Sequence, residues 1–207
     1  MSSFAKILTI ELKELGPYVK ERSMDKKQII GTQIPNFTFN TPFERNKTLY
    51  DVLSRVPGKT AIVFLRFYGC RLSKYDILQY AQHYREIVGQ DHQLLVVLQS
   101  EPIVIAEECK KEDFAFDIVC DPTKALYEAF EVGPGLTQEA VLHDALTQAK
   151  LKKAVALGIV KGKAEGDILQ LPATFIINQD RKIIYSSYGI SGGDAPSAED
   201  LKMMLLC

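Results

Sequence analysis

Cys70 is the residue of this 207-residue chain best suited to do chemistry. It stands in the run Phe64-Leu65-Arg66-Phe67-Tyr68-Gly69-Cys70-Arg71-Leu72-Ser73-Lys74, where an apolar stretch gives way through Gly-Cys to an amphipathic one. A cysteine at the turn from a buried strand into a helix lies at the positive end of that helix. That placement favours thiolate over thiol, and the thiolate is the nucleophile. A free cysteine, with a pKa near 8.5, is only about 3% ionised at neutral pH. A thiol whose pKa is about 6 is roughly 90% ionised, which requires about 3.4 kcal/mol of differential stabilisation. A helix terminus supplies about 0.3–1 kcal/mol, up to about 2 when partly buried. The remainder falls to neighbours: the cations Arg66, Arg71 and Lys74, the Ser73 hydroxyl and backbone N–H groups.

The other three cysteines, Cys109, Cys120 and Cys207, are widely spaced, and no C-x-x-C pair suggests a zinc knuckle. Cys109 and Cys120 read as small buried apolar residues, and Cys207 as an apolar tail residue. His83, His92 and His143 are scattered and form no Cys-His-Asp arrangement. No metal or cofactor is expected. A net charge of −1 gives no reason to expect nucleic acid or an anionic membrane as partner. No apolar stretch is long enough to span a bilayer. Residues 1–27 lack a continuous apolar core and are interrupted by Glu11, Glu14 and Glu21, so they read as mature sequence of a cytoplasmic protein.

The elements that must position Cys70 are legible from periodicity. Phe4, Ile7, Leu8, Leu12, Leu15 and Val19 have helical spacing, and mark residues 1–27 as a helical extension that docks on the domain, on a partner or in a homodimer. Residues 31–40 read as a short extended segment and 48–53 as a helical turn. Residues 61–66 and 93–100 read as strands buried on both faces, 116–121 as a third. Between them, Ile77, Ala81, Tyr84 and Val88 line one face of a helix ended by Gly89. Pro102 opens a helix through about residue 111, and Asp121 caps one over 123–130. Residues 137–157 read as a single helix and 158–167 as a Gly- and Lys-rich loop. Residues 173–178 and 182–187 form a hairpin. Ser197 and Asp200 form a capping-box-like start to a last helix. Strands alternating with helices indicate an α/β layered fold in which the first strands are parallel and the hairpin adds an antiparallel edge.

Several segments carry a family resemblance. The order of elements, with Cys70 after the strand at 61–66 and Leu171-Pro172 before the strand at 173–178, resembles the thioredoxin fold. Residues 31–53, 117–133 and 172–185 resemble the opening segment, the Asp-Pro segment and the terminal hairpin of peroxiredoxins of the alkyl hydroperoxide reductase/thiol-specific antioxidant family. The resemblance spans about residues 28–206. It implies a thioredoxin-like three-layer sandwich over residues 28–207, with a mixed central sheet. The implied enzyme is an antioxidant redoxin that reduces peroxides or disulfides through a redox-active cysteine, with a thiol reductant, either a thioredoxin-like protein or a low-molecular-weight thiol, as partner. It marks Cys70, Ser73 and Arg71 as catalytic positions, and Tyr68, Gly69, Leu171 and Pro172 as the substrate groove. A cis Pro172 would place its ring against Cys70. Cys207, Cys120 or Cys109 would resolve an oxidised Cys70 if any cysteine of this chain does; otherwise an external thiol does so in a one-cysteine cycle.

The chain departs from the family's pattern around Cys70. Leu65-Arg66-Phe67-Tyr68-Gly69 stands where peroxiredoxins carry P-x-x-x-T-x-x-C, Pro172 stands where they carry an Arg, and Ser73 stands where thioredoxins carry a second cysteine. Those departures equally suit a redoxin scaffold turned into a binding or regulatory module.

Overall fold

The computed structural model describes residues 30–207. The helix and dimer contact expected of residues 1–27 lie outside them. A two-stranded antiparallel ribbon, β1 (Thr38–Phe39) with β2 (Lys47–Thr48), leads into α1 (Leu49–Leu53). The central sheet then has the order β5-β4-β3-β6-β7. Its strands are β3 (Thr60–Phe64), β4 (Gln93–Leu98), β5 (Asp117–Cys120), β6 (Ala173–Ile177) and β7 (Ile183–Tyr188). Strand β3 is parallel to β4, and β4 to β5, whereas β6 runs antiparallel to both β3 and β7. The mixed sheet and its antiparallel hairpin edge are as expected.

Strands β3, β4 and β6 are buried along their whole length. That burial is why their sequences are continuously apolar rather than alternating. Ala61 and Val63 face one core with Ile77, Tyr80, Ile87, Leu201 and Leu205. Ile62 and Phe64 face the other with Leu49, Val52, Tyr127 and Phe130. On the first face lie α2 (Arg71–Gln82), α3 (Tyr84–Val88), α4 (Pro102–Glu108) and α8 (Ala198–Leu206); on the second lie α1 and α5 (Ala125–Ala129). The result is three layers, helices on both sides of a mixed sheet.

Two long helices expected from periodicity are broken. The first ends at His83, whose φ of −108° and ψ of 16° separate α2 from α3. The second splits into α6 (Gln138–Leu142) and α7 (Ala145–Ala156), because Asp144 turns extended and accepts the Thr147 amide at 2.9 Å. Aspartate prefers a cap to a helix interior, and apolar spacing alone is blind to that preference. Helix α4 stops at Glu108, before the expected end, with Cys109 extended. Asp121 holds the start of α5, accepting the Ala125 and Leu126 amides at 3.1 and 2.8 Å, but the helix covers 125–129 rather than 123–130, and Lys124 takes its N-cap position.

Helix α7 is tied to α2 by charge. Lys150 donates to the Asp76 carboxylate at 2.8 Å and to the Ala195 carbonyl at 2.7 Å, and Asp76 is 3% exposed. Burial pushes the Asp76 carboxyl up to about 6, while Lys150 and Arg66 pull it back. Folded Asp76 therefore keeps its proton to higher pH than the unfolded side chain, whose pKa is about 3.9. Its protonation stabilises the fold below that value, and the contribution is lost as pH rises through about 6. Denaturant titrations should show Asp76→Asn lacking the loss of stability that wild type undergoes between about pH 4 and about pH 6; an identical slope in both would refute the assignment. Lys150→Met, which strands the Asp76 carboxylate, should cost about 3–5 kcal/mol at neutral pH.

Candidate active site

Cys70 is the N-cap of the twelve-residue helix α2, with extended backbone at φ −75° and ψ 125° and no side-chain capping bond. It follows β3 through Leu65–Gly69, and the turn is held on every side. The Leu65 amide bonds the Val97 carbonyl at 3.0 Å, and the Tyr127 hydroxyl donates to the Leu65 carbonyl at 2.6 Å. The Tyr68 amide donates to Ser100 Oγ at 2.8 Å, and the Cys70 amide closes onto the Phe67 carbonyl at 3.1 Å. No side chain caps α2, and the thiol of Cys70 stands at its N-terminus without accepting a capping hydrogen bond.

Cys70 is 7% exposed. It packs with Phe67 and Leu72, and Leu142 of α6 and Leu151 of α7 pack against that cluster. A strap from residue 159 to 168, between α7 and β6, crosses the same turn. The Gly69 amide donates to Glu165 Oε1 at 2.9 Å, and the Gly162 amide donates to the Gly69 carbonyl at 2.9 Å. Arg71 Nε bonds the Ile159 carbonyl at 3.0 Å, and Arg66 Nη1 the Ile168 carbonyl at 2.9 Å. The Asp167 amide reaches Gln99 Oε1 at 2.7 Å. Only glycine fits at 69 while the strap lies in place, because a Cβ there would overlap the Lys163 carbonyl oxygen, a backbone atom that moves only with the strap. The strap is not free of cost: Glu165 Oε2 is buried without a partner. An orphaned buried polar atom costs about 1–3 kcal/mol, more when charged.

The other expected site residues are placed as follows. Arg71 points away from the sulfur, into the strap. Ser73 is buried and accepts the Arg66 amide at 3.3 Å, so its hydroxyl serves the backbone rather than Cys70. Lys74 pairs with Glu108 at 2.5 Å and sits 4.7 Å over the Tyr68 ring. Tyr68 turns away from Cys70 into the core under α2, its hydroxyl 2.8 Å from Cys109 Sγ, and burial pushes its phenol far up. The Leu171–Pro172 bond is trans, which corrects the cis geometry entertained from the sequence. Pro172 does approach the start of α2: with Arg66, Ser73, Asp76, Gln170 and Gly192 it lines a cavity of about 10 Å³. Arg66 is 8% exposed, and its Nη2 is buried without a partner.

The cysteines named as resolving candidates are dispersed. Cys109 ends α4, and burial raises its thiol against the opposing Tyr68 hydrogen bond. Cys120 is buried in β5, its thiol pushed up to about 12 by burial and Glu101. Cys207 follows α8, whose Leu205 carbonyl accepts Lys59 Nζ at 3.1 Å. Lys59 precedes β3, whereas Cys70 follows it, so Cys207 and Cys70 belong to opposite ends of the strand. A larger cleft of about 400 Å³ lies at that far end, beside Gln93 and Asp117 where the parallel strands begin. Its charges are mutually engaged, Lys47 with Glu44 and Asp117 at 2.6 and 2.7 Å, and Lys111 with Glu44.

Sequence reasoning missed Glu165, Gln99 and Gln170. All three are polar residues whose partners are distant in sequence, Gln99 Nε2 meeting Gln170 Oε1 at 2.8 Å. The one available signal was the pairing of Gly69 with Gly162 in an otherwise Lys-rich loop, which permits two backbones to touch. Gly69→Ala should therefore lower the melting temperature and speed modification of Cys70 by iodoacetamide, since the strap must shift from the added methyl; a stable variant with unaltered thiol reactivity would contradict the packing described.

The family model described as AhpC/TSA antioxidant enzyme matches residues 80–190, a stretch that begins downstream of Cys70. No curated protein matches the chain. Among solved structures, the fold is similar to the peroxidoxin BcpB of Mycobacterium tuberculosis, at 16% identity and a TM-score of 0.51 over 86% of this chain and 93% of that one. It is similar to peroxiredoxin 6 of Arenicola marina at 13% identity and a TM-score of 0.61, covering 85% and 71%. A third similar structure is the bacterioferritin comigratory protein of Xanthomonas campestris, at 15% identity and a TM-score of 0.54, covering 82% and 88%. At such identities these structures speak for the fold, and the family match covers more than half of the sequence. The layered mixed sheet is a peroxiredoxin-type thioredoxin fold, and the chain belongs to the AhpC/TSA antioxidant enzyme family.

Proposed function

We propose that the protein is a thiol-dependent peroxidase whose nucleophile is Cys70. The observation that carries this reading is the position of Cys70 as the uncapped start of α2, directly after the central strand. The Cys70 thiolate attacks the terminal oxygen of a hydroperoxide. An S–O bond forms, the O–O bond breaks, and its electron pair leaves on the alkoxide, which takes up a proton. The products are a sulfenic acid and an alcohol, or water from hydrogen peroxide. One external thiol then displaces water from the sulfenic acid to give a mixed disulfide. A second thiol reduces that disulfide and restores Cys70. An external reductant, a thioredoxin-like protein or a low-molecular-weight thiol, suits a chain whose Ser73 replaces a second thiol and whose remaining cysteines are engaged or remote.

A second reading is a redoxin scaffold acting as a binding or regulatory module; the 7% exposure of Cys70 favours it. The two separate in one experiment. Purified protein treated with hydrogen peroxide and a sulfenic-acid probe should be labelled at Cys70 and consume peroxide only with added thiol. Cys70→Ser should lose both, whereas the combined Cys109→Ser, Cys120→Ser, Cys207→Ser variant should keep turnover within about threefold, as expected where no second cysteine takes part. No labelling and no consumption by wild type would favour the binding module.

A further inference from the structure

The strap across the turn that carries Cys70 is fastened as a latch, by polar contacts to the residues on either side of the nucleophile. Val160 is 73% exposed, and Lys161, Lys163 and Ala164 are also exposed. The strap is secured by polar contacts to the turn that carries Cys70: Glu165 and Gly162 on Gly69, Ile159 on Arg71, and Ile168 on Arg66. Segments held by few buried apolar contacts open at lower free energy than the core. The key contact is internally opposed, because Glu165 Oε1 accepts from Gly69 while Oε2 is buried and unpaired. Closed, the strap sets a carboxylate beside the turn that would carry a thiolate, an arrangement of like charges.

We propose that residues 159–168 form an autoinhibitory lid over Cys70, latched by the Glu165 carboxylate on the Gly69 amide. Lifting it frees the Gly69 N–H and Arg71 Nε, donors on the two residues that adjoin Cys70 in the chain, for the acceptor oxygens of an incoming peroxide or partner. Releasing Glu165 relieves its orphaned oxygen at the same time. The lid deepens the peroxidase reading, yet its test does not depend on turnover.

The test is the rate of Cys70 alkylation by iodoacetamide, followed by mass spectrometry on the full chain, with amide exchange at Gly69 and Gly162 measured alongside. Glu165→Ala should raise the rate by about tenfold or more, the scale expected when a hydrogen bond to a charged acceptor no longer holds the closed form. Gly69 and Gly162 should lose protection together. Glu165→Gln, which keeps an acceptor for the Gly69 amide, should stay within about threefold of wild type, as for exchange of a charged for a neutral acceptor. Wild-type Cys70 as reactive as a free thiol would overturn the proposal, since nothing would then be shut. So would a Glu165→Gln variant as fast as Glu165→Ala, which would make charge rather than closure the brake. Exchange at both glycines matching the global unfolding rate in every variant would also overturn it. If alkylation follows the lid while peroxide is never consumed, the lid stands and the peroxidase reading falls.

Discussion

Asp76 on α2 and Lys150 on α7 meet at 2.8 Å inside the protein, and Lys150 reaches on to the Ala195 carbonyl ahead of α8. Three segments far apart in sequence are joined at that point. The pair adds little net stability over a well-packed apolar alternative, because two charges must leave water to form it. What it contributes is position. An ammonium can satisfy its donors at one depth and one azimuth of α7, and at that setting the neighbouring Leu151 falls against the cluster around Cys70. The strap begins where α7 ends, so its path over Gly69 follows from the same constraint.

Two kinds of adhesion meet at the nucleophile. Beneath the sheet, Phe64 packs on Tyr127 and Phe130 at ring-centroid distances of 5.1 and 5.2 Å, and Phe130 on Phe175 at 5.1 Å. This face buries large apolar area in interlocking rings, and the Tyr127 hydroxyl pins the end of β3 to it. Across the turn, the strap is held by a few part-buried hydrogen bonds, worth about 0.5–1.5 kcal/mol net where neutral and about 1.5–3 where a charged group takes part. A reactive sulfur placed between a rigid floor and a weakly held cover can be exposed without disturbing the sheet. The orphaned oxygen of Glu165, on the strap, and the orphaned nitrogen of Arg66, on the turn, lie on the two sides of this boundary.

Much of the architecture was legible because it rests on local rules. Continuous apolar runs marked β3 and β4, the Gln179-Asp180-Arg181 turn separated two strand patterns, and Ser197 with Asp200 announced α8 through a capping box that the structure contains. The placement of Cys70 at a strand-to-helix turn was equally local. Apolar spacing failed where a polar residue interrupts a helix, at His83 and Asp144, since a cap and an interior position look alike to a hydrophobic period. Adjacency in the chain was a poor guide to the side chains near the sulfur. Arg71 and Ser73 are adjacent to Cys70 in the chain, yet rotamer direction and competing acceptors sent one to Ile159 and the other to the Arg66 amide.

By itself, then, the sequence determined a layered α/β chain with a cysteine at the head of a helix, because periodicity, caps and a strand-to-helix turn depend on residues within a few positions of one another. Only the tertiary structure decided that the cysteine is covered, that Glu165 lies against its turn and that the other thiols are elsewhere. Those contacts join positions separated by as many as 96 residues, and they are selected by which buried polar groups can be satisfied at once in three dimensions, a condition no local pattern encodes.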